Sequence, residues 1–92
     1  MSAYSDLISG AKGTYVVNNT TEFTAPAMAY YVAEDTVIAT IKVSAVDKLS
    51  SYVAATGTAL KAGTFIVPRA DLGHTLFSAI DLTSGSVVAL LA

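Results

Sequence analysis

The chain predicts an all-β fold, a small antiparallel β-sandwich or jelly-roll-like domain with an extended N-terminal arm, and two observations carry that reading. Short runs of β-branched and aromatic residues recur along it, restarted by Gly57, Gly63 and Gly85 or by Asn18-Asn19, residue types that accept the positive φ of tight turns. Within Val37–Val43, apolar side chains also alternate with the period of two that a half-buried strand requires.

The elements follow in order. Residues 1–13 are small and polar around Leu7 and Ile8 and are broken by Gly10 and Gly13. They read as an arm that lies across a neighbour, with Tyr4, Leu7 and Ile8 as its candidate contacts; residues 14–92 form the single domain. Strands are expected at 14–17 and 21–24, joined as a hairpin by Asn18-Asn19-Thr20. The clearest pair is 27–33 and 37–43 around the polar turn Glu34-Asp35-Thr36. In the second of these Val37, Ala39, Ile41 and Val43 are expected on the core face, with Ile38, Thr40 and Lys42 opposite. Tyr30 and Tyr31 are adjacent, so one ring faces inward and the other is offered to a partner, which makes the pair interface candidates. Residues 45–55 are ambiguous: Val46, Leu49 and Val53 have helical spacing, yet the Ser-Ser-Tyr-Val stretch suits a strand, and strand plus loop is the expectation. Further short strands are expected at 59–60, 64–67, 77–82 and 86–91, with Pro68 ending its strand because it cannot donate to a ladder.

Size and charge bear on function. A single domain of 92 residues buries only roughly 60–65% of its unfolded surface, a marginal core. With no Cys and one His, neither disulfides nor a zinc site supplements it, and assembly is the available source of stability. Charged residues are 13% of the chain, about half the usual share, and Ser and Thr outnumber them by 20 to 12. Much of the surface is therefore hydroxyl or apolar, which suits burial against another subunit. The net charge of −2, with Lys12, Lys42, Lys48, Lys61 and Arg69 scattered, argues against nucleic acid as a partner. The start of the chain has no basic, apolar leader pattern, and the longest uncharged apolar stretch, 25–33, is far short of the ~18 residues of a membrane span, so neither export nor a membrane partner is expected.

Catalytic patterns are weak. Ser78, His74 and Asp71 or Asp81 supply the residue types of a hydrolase triad but lack a Gly-x-Ser-x-Gly elbow, and no catalytic residue, cofactor or metal ligand is expected. Residues 57–64 lack the Lys of a phosphate loop, and Glu34-Asp35 reads as a solvated turn rather than a cation site. Arg69 is the best candidate for a directional contact to a carboxylate on a neighbouring chain, and His74, in a polar loop after Gly73, for an interface imidazole.

The C-terminal third adds a resemblance. The run GTALKAGTFIVPR (57–69), an insert, and FSAIDLTSGSVVALL (77–91) resemble the ending of small virion proteins of tailed bacteriophages, through Ala62-Gly63-Thr64, Phe77, Ile80, Leu82, Ser84-Gly85 and Val87-Val88-Ala89. Weaker agreement runs from Ile41 to Tyr52, and the chain departs from the pattern at 68–75 and in ending on Leu-Leu-Ala. The resemblance implies a capsid decoration, or cement, protein: a homotrimer made in the host cytoplasm that sits on the major capsid protein at the outer surface of the head. Two alternatives stand beside it, another virion part such as a head-fibre base or tail component, and a small carbohydrate- or ligand-binding β-module that uses exposed Tyr side chains.

Overall fold

The computed structural model describes residues 13–92, which form one open antiparallel sheet of seven strands. These are β1 (Thr14–Val17), β2 (Phe23–Val32), β3 (Val37–Val43), β4 (Val46–Asp47), β5 (Phe65–Ile66), β6 (Phe77–Ser84) and β7 (Val87–Leu91). The order across the sheet is β1-β7-β2-β6-β3-β4, with β5 also paired to β2. No α-helix occurs among the described residues, so the all-β expectation holds in this form; the only helical turns are single 3-10 turns at Leu49–Ser51 and Ala70–Leu72. The arm expected at 1–13 lies outside the described residues except for Gly13.

The sheet owes its shape to β2. Two separate strands are expected around Pro26, but the structure has one ten-residue strand whose pairing passes from β6 to β7 just after the proline, at Ala27, which pairs with both Phe77 and Leu91. Before it, Phe23 and Thr24 face Ile80 and Ala79 of β6; after it, Tyr30 to Val32 face Ala89 to Val87 of β7. Pro26 brings no N–H to a ladder, and the register shifts between Thr24 and Ala27, so the proline occupies the irregular point where the lost bond matters least. One strand thereby joins two half-sheets, β2-β6-β3-β4 and β5-β2-β7-β1.

This arrangement corrects the expected Asn18-Asn19 hairpin. β1 does not pair with β2; it lies along β7, Thr14 opposite Leu90 and Val17 opposite Val87. Asn19 does turn the chain, its Oδ1 accepting the Thr21 N–H at 3.1 Å, but residues 18–22 cross from one half-sheet to the other. The crossing is fastened by Tyr15 stacked on Phe23, ring centroids 4.4 Å apart and planes nearly parallel. β6 and β7, though joined only by Gly85 and Ser86, likewise do not pair with each other: they flank β2, and β6 goes on to pair with β3 and β7 with β1. Gly85 makes that passage at φ 91°, over the buried Thr36, and a Cβ there would lie 2.6 Å from Thr36 Cα and collide with its hydroxyl. The Thr36 Oγ1 donates to the Glu34 carbonyl at 2.7 Å and accepts the Ser86 N–H at 3.1 Å, so this buried hydroxyl ties the two turns together.

The half-sheets share one core. Tyr30 stacks on Phe77 at 4.8 Å, Tyr52 meets the same Phe77 edge-on at 5.1 Å, and Val32, Ile41, Ile80, Leu82 and Val87 fill the space around them. The expected alternation of β3 fails at its start. Register shifts on both sides of Ile38 leave Ala39 unpaired with β6, so Ile38, Ile41 and Val43 are buried while Ala39 is exposed. A bulge moves the inward set by one residue, and no local feature of the sequence announces it.

Residues 45–55 resolve into β4, a 3-10 turn and loop. Ser44 and Ala45 form the tight β3–β4 turn with φ of 52° and 64°, the geometry usually given to Asn-Gly. Asp47 Oδ1 then accepts the Leu49 N–H, and Leu49 and Val53 enter the core while Val46 stays exposed. Of the expected strand at 59–60 only a single bridge from Leu60 to Thr36 forms, and that at 64–67 contracts to β5.

Candidate functional site

Two places collect the candidate residues. The first is a polar and aromatic staple between the turn at Leu49–Ser51 and the segment 68–76. Arg69 forks onto Asp71 through Nη2 at 2.6 Å and Nε at 3.1 Å, and its Nη1 donates to the Ser51 carbonyl at 2.9 Å. The Arg69 backbone N–H donates to the Tyr52 hydroxyl at 2.9 Å, and that hydroxyl lies 2.6 Å from His74 Nδ1. Which of the two donates is set by the tautomer of the imidazole. The Tyr52 ring also stacks on His74 at 5.7 Å. The Arg69 fork holds the Asp71 carboxyl below its ordinary range, and the hydrogen bond to Asp71 raises the guanidinium.

Arg69 and His74, distinct candidates in the sequence, thus meet through Tyr52, which the sequence did not single out. The carboxylate expected for Arg69 on a neighbouring chain is supplied two residues away by its own Asp71, because the short 3-10 turn at Ala70–Leu72 folds the acid back onto the fork. The triad residue types are not assembled: Ser78 Oγ accepts the Ala45 N–H at 3.0 Å, His74 faces Tyr52 and Asp71 faces Arg69. Asp35 reaches the 61–63 turn, accepting the Ala62 N–H and pairing with Lys61 at 3.5 Å. Among the described residues no group of three or more His, Cys, Asp or Glu side chains is placed to hold a metal ion. An open groove of about 510 Å³ beside the Pro26 bend is lined by Thr24, Ser44, Thr75, Leu76 and other groups, none of them ionisable.

The second place is the outer surface of the sheet, whose two halves differ. On β2-β6-β3-β4, Lys42 pairs with Glu22 at 2.8 Å across β6, stands opposite Asp47 on β4 and feels Asp81 on β6. The hydrogen bond and charge of Glu22 are the main reasons its ammonium is held above the ordinary lysine range. On β5-β2-β7-β1 the registers align Phe65 with Tyr31, Tyr31 with Val88 and Val88 with Val16, a continuous row across four strands. No charged side chain stands in it. Phe65 is 54% exposed, Val16 53% and Tyr31 37%, and the Tyr31 and Phe65 rings tilt together at 5.1 Å.

The row ends at an open edge. Leu91 N–H bonds to the Gly13 carbonyl at 2.9 Å, so these two form a hydrogen-bonded pair of the β1–β7 ladder. Alternation then turns the backbone groups of Tyr15 and Val17 toward β7 and those of Thr14 and Val16 outward, where no strand of the described residues meets them.

Of the sequence candidates, Tyr31 is the outward ring. Tyr30 is fully buried and has no surface to offer; its hydroxyl lacks a hydrogen-bond partner, and burial pushes its pKa far up. Tyr4, Leu7 and Ile8 lie outside the described residues. Phe65, Val88 and Val16 were not among the candidates: each lies in an expected strand, but only the pairing sets them in line. Compared with family models, curated proteins and solved structures, the chain matches none of them.

Proposed function

We propose that this chain is a structural virion protein, a capsid decoration protein that binds the outer surface of a phage head as a homotrimer and stabilises the shell. In this reading the half-sheets on either side of the β2 bend act as a small β-sandwich, a rigid block with one face for assembly. The observation that carries it is the uncharged row from Phe65 to Val16 beside the open β1 edge, on a chain with few charges and a small core. The resemblance of residues 57–69 and 77–91 to phage virion proteins supplies the biological setting. The staple of Arg69, Asp71, Tyr52 and His74 serves to hold the 68–76 insert in shape, so that a contact surface there is formed before a partner arrives.

The test is co-sedimentation of the purified chain with empty heads lacking decoration. Saturable binding in a fixed ratio to the major capsid protein, with a raised unfolding temperature of the shell, is expected. Absence of binding to heads combined with binding to tails would move the protein elsewhere on the particle. The ligand-binding alternative would draw on Tyr15 and Tyr31, which are exposed but lie outside the groove beside Pro26, and glycan binding by the isolated chain would favour it.

A further inference from the structure

We infer that the outer face of β5-β2-β7-β1 is where a second copy of this chain docks, through the row Phe65, Tyr31, Val88 and Val16 and the adjoining edge of β1. Two unmet demands coincide there. Three of the four row side chains keep more than a third of their surface in water, and the N–H and C=O groups of Thr14 and Val16 face outward from the edge strand. The other half-sheet differs in charge: its outer face carries Lys42 among Glu22, Asp47 and Asp81, and the exposed Val46 of its two-residue edge strand β4 adjoins Asp47 rather than an apolar row.

The charge distribution selects the occupant. An apolar row with no ionised group gains nothing from a charged partner, which would have to strip water from its own charges without receiving a counter-charge. The apolar rows of further copies, gathered around a shared axis, remove apolar area from every copy at no such cost, and each edge strand brings backbone groups that no strand of the described residues pairs. A chain this small, with no disulfide, also has a thermodynamic use for that burial in every copy.

This inference rests on the reading above only in taking the chain to be an assembling protein, and the two fail separately. A chain that self-associates but ignores heads sinks the decoration reading alone. A chain that binds heads yet stays monomeric in solution sinks this one together with the homotrimer of that reading, and leaves head binding standing.

Light scattering across a concentration series, on the full-length chain, is the experiment. Wild type is expected at a multiple of the 9.4 kDa chain mass. A double variant, Val16→Lys with Phe65→Lys, is expected to be monomeric throughout with its far-UV spectrum unchanged, since both positions are more than half exposed. Thr83→Lys, on the other half-sheet and exposed, is expected to assemble as wild type does. A monomeric wild type, or assembly that survives the double substitution, overturns the inference. Should the double variant fail to fold, hydrogen exchange of wild type decides: the Thr14 and Val16 amides gain protection as concentration rises, and unchanged exchange at both in an assembling chain overturns it.

Discussion

The two half-sheets share a strand and a core yet present opposite surfaces. β2-β6-β3-β4 turns outward a lysine held among three carboxylates, whereas β5-β2-β7-β1 turns outward Phe65, Tyr31, Val88 and Val16. Inside, both contribute similar residues, Ile41, Ile80 and Leu82 from one and Val32, Val87 and Ala89 from the other. The difference teaches that the interior is set by the need to close one small core, while the exterior of each half is free to specialise. It is there that a division between solvent and partner becomes visible.

The most damaging way to break the comparison is to remove what both halves share. Phe77→Ala takes away the ring on which Tyr30 and Tyr52 both rest and is expected to cost about 3–5 kcal/mol, seen as loss of the cooperative urea transition or a large fall in its midpoint. Next is the passage between halves. Gly85→Ala places a methyl group against the Thr36 backbone at a positive φ and is expected to cost about 2–3 kcal/mol in the same assay. A cost below about 0.5 kcal/mol would mean that the β6–β7 turn is not held against Thr36.

A smaller change, of opposite sign, sharpens the view of the charged half. Ala45→Gly relieves a left-handed residue in the β3–β4 turn and is expected to stabilise by about 0.5–1 kcal/mol, read as a higher urea midpoint. Gly is freer in the unfolded chain, so destabilisation would show that entropy outweighs the relieved strain.

The smallest effect concerns pH. Asp71 has its pKa lowered in the folded chain, so the Arg69 contact adds stability above the ordinary carboxylate range and loses it as pH falls through the folded value. Both groups are exposed, and solvent screens the pair. Asp71→Asn should therefore lower the melting temperature slightly at neutral pH and not at all near pH 2. An equal loss at both would assign Asp71 a role other than its charge.

Much of the strand content was legible because its causes are local. β-branched runs and Gly or Asn turns act within a few residues, and β1, β3, β6 and β7 fall close to where they were expected. The opposed directions of Tyr30 and Tyr31 were legible for the same reason, whereas which ring is buried was not. Pairing was out of reach. Asn18-Asn19 is sound turn chemistry, but a hairpin also requires that the next strand have no better partner, and β7 is that partner for β1. The staple was half visible: Arg69 and His74 were marked by their chemistry, and Tyr52, 17 residues from Arg69 in sequence, was joined to them only by folding.

By itself, then, the sequence determined that the chain is built of strands, that it has little charge to spread over its surface, and that Gly and Asn punctuate it, since these depend on composition and near neighbours. Tertiary structure alone decided that one strand running through Pro26 is shared by two half-sheets, that a bulge at Ala39 exchanges the inward residues of β3, and that four scattered apolar side chains form one row. Each of these depends on register between strands distant in sequence, and a shift of a single residue would send those side chains to the other face.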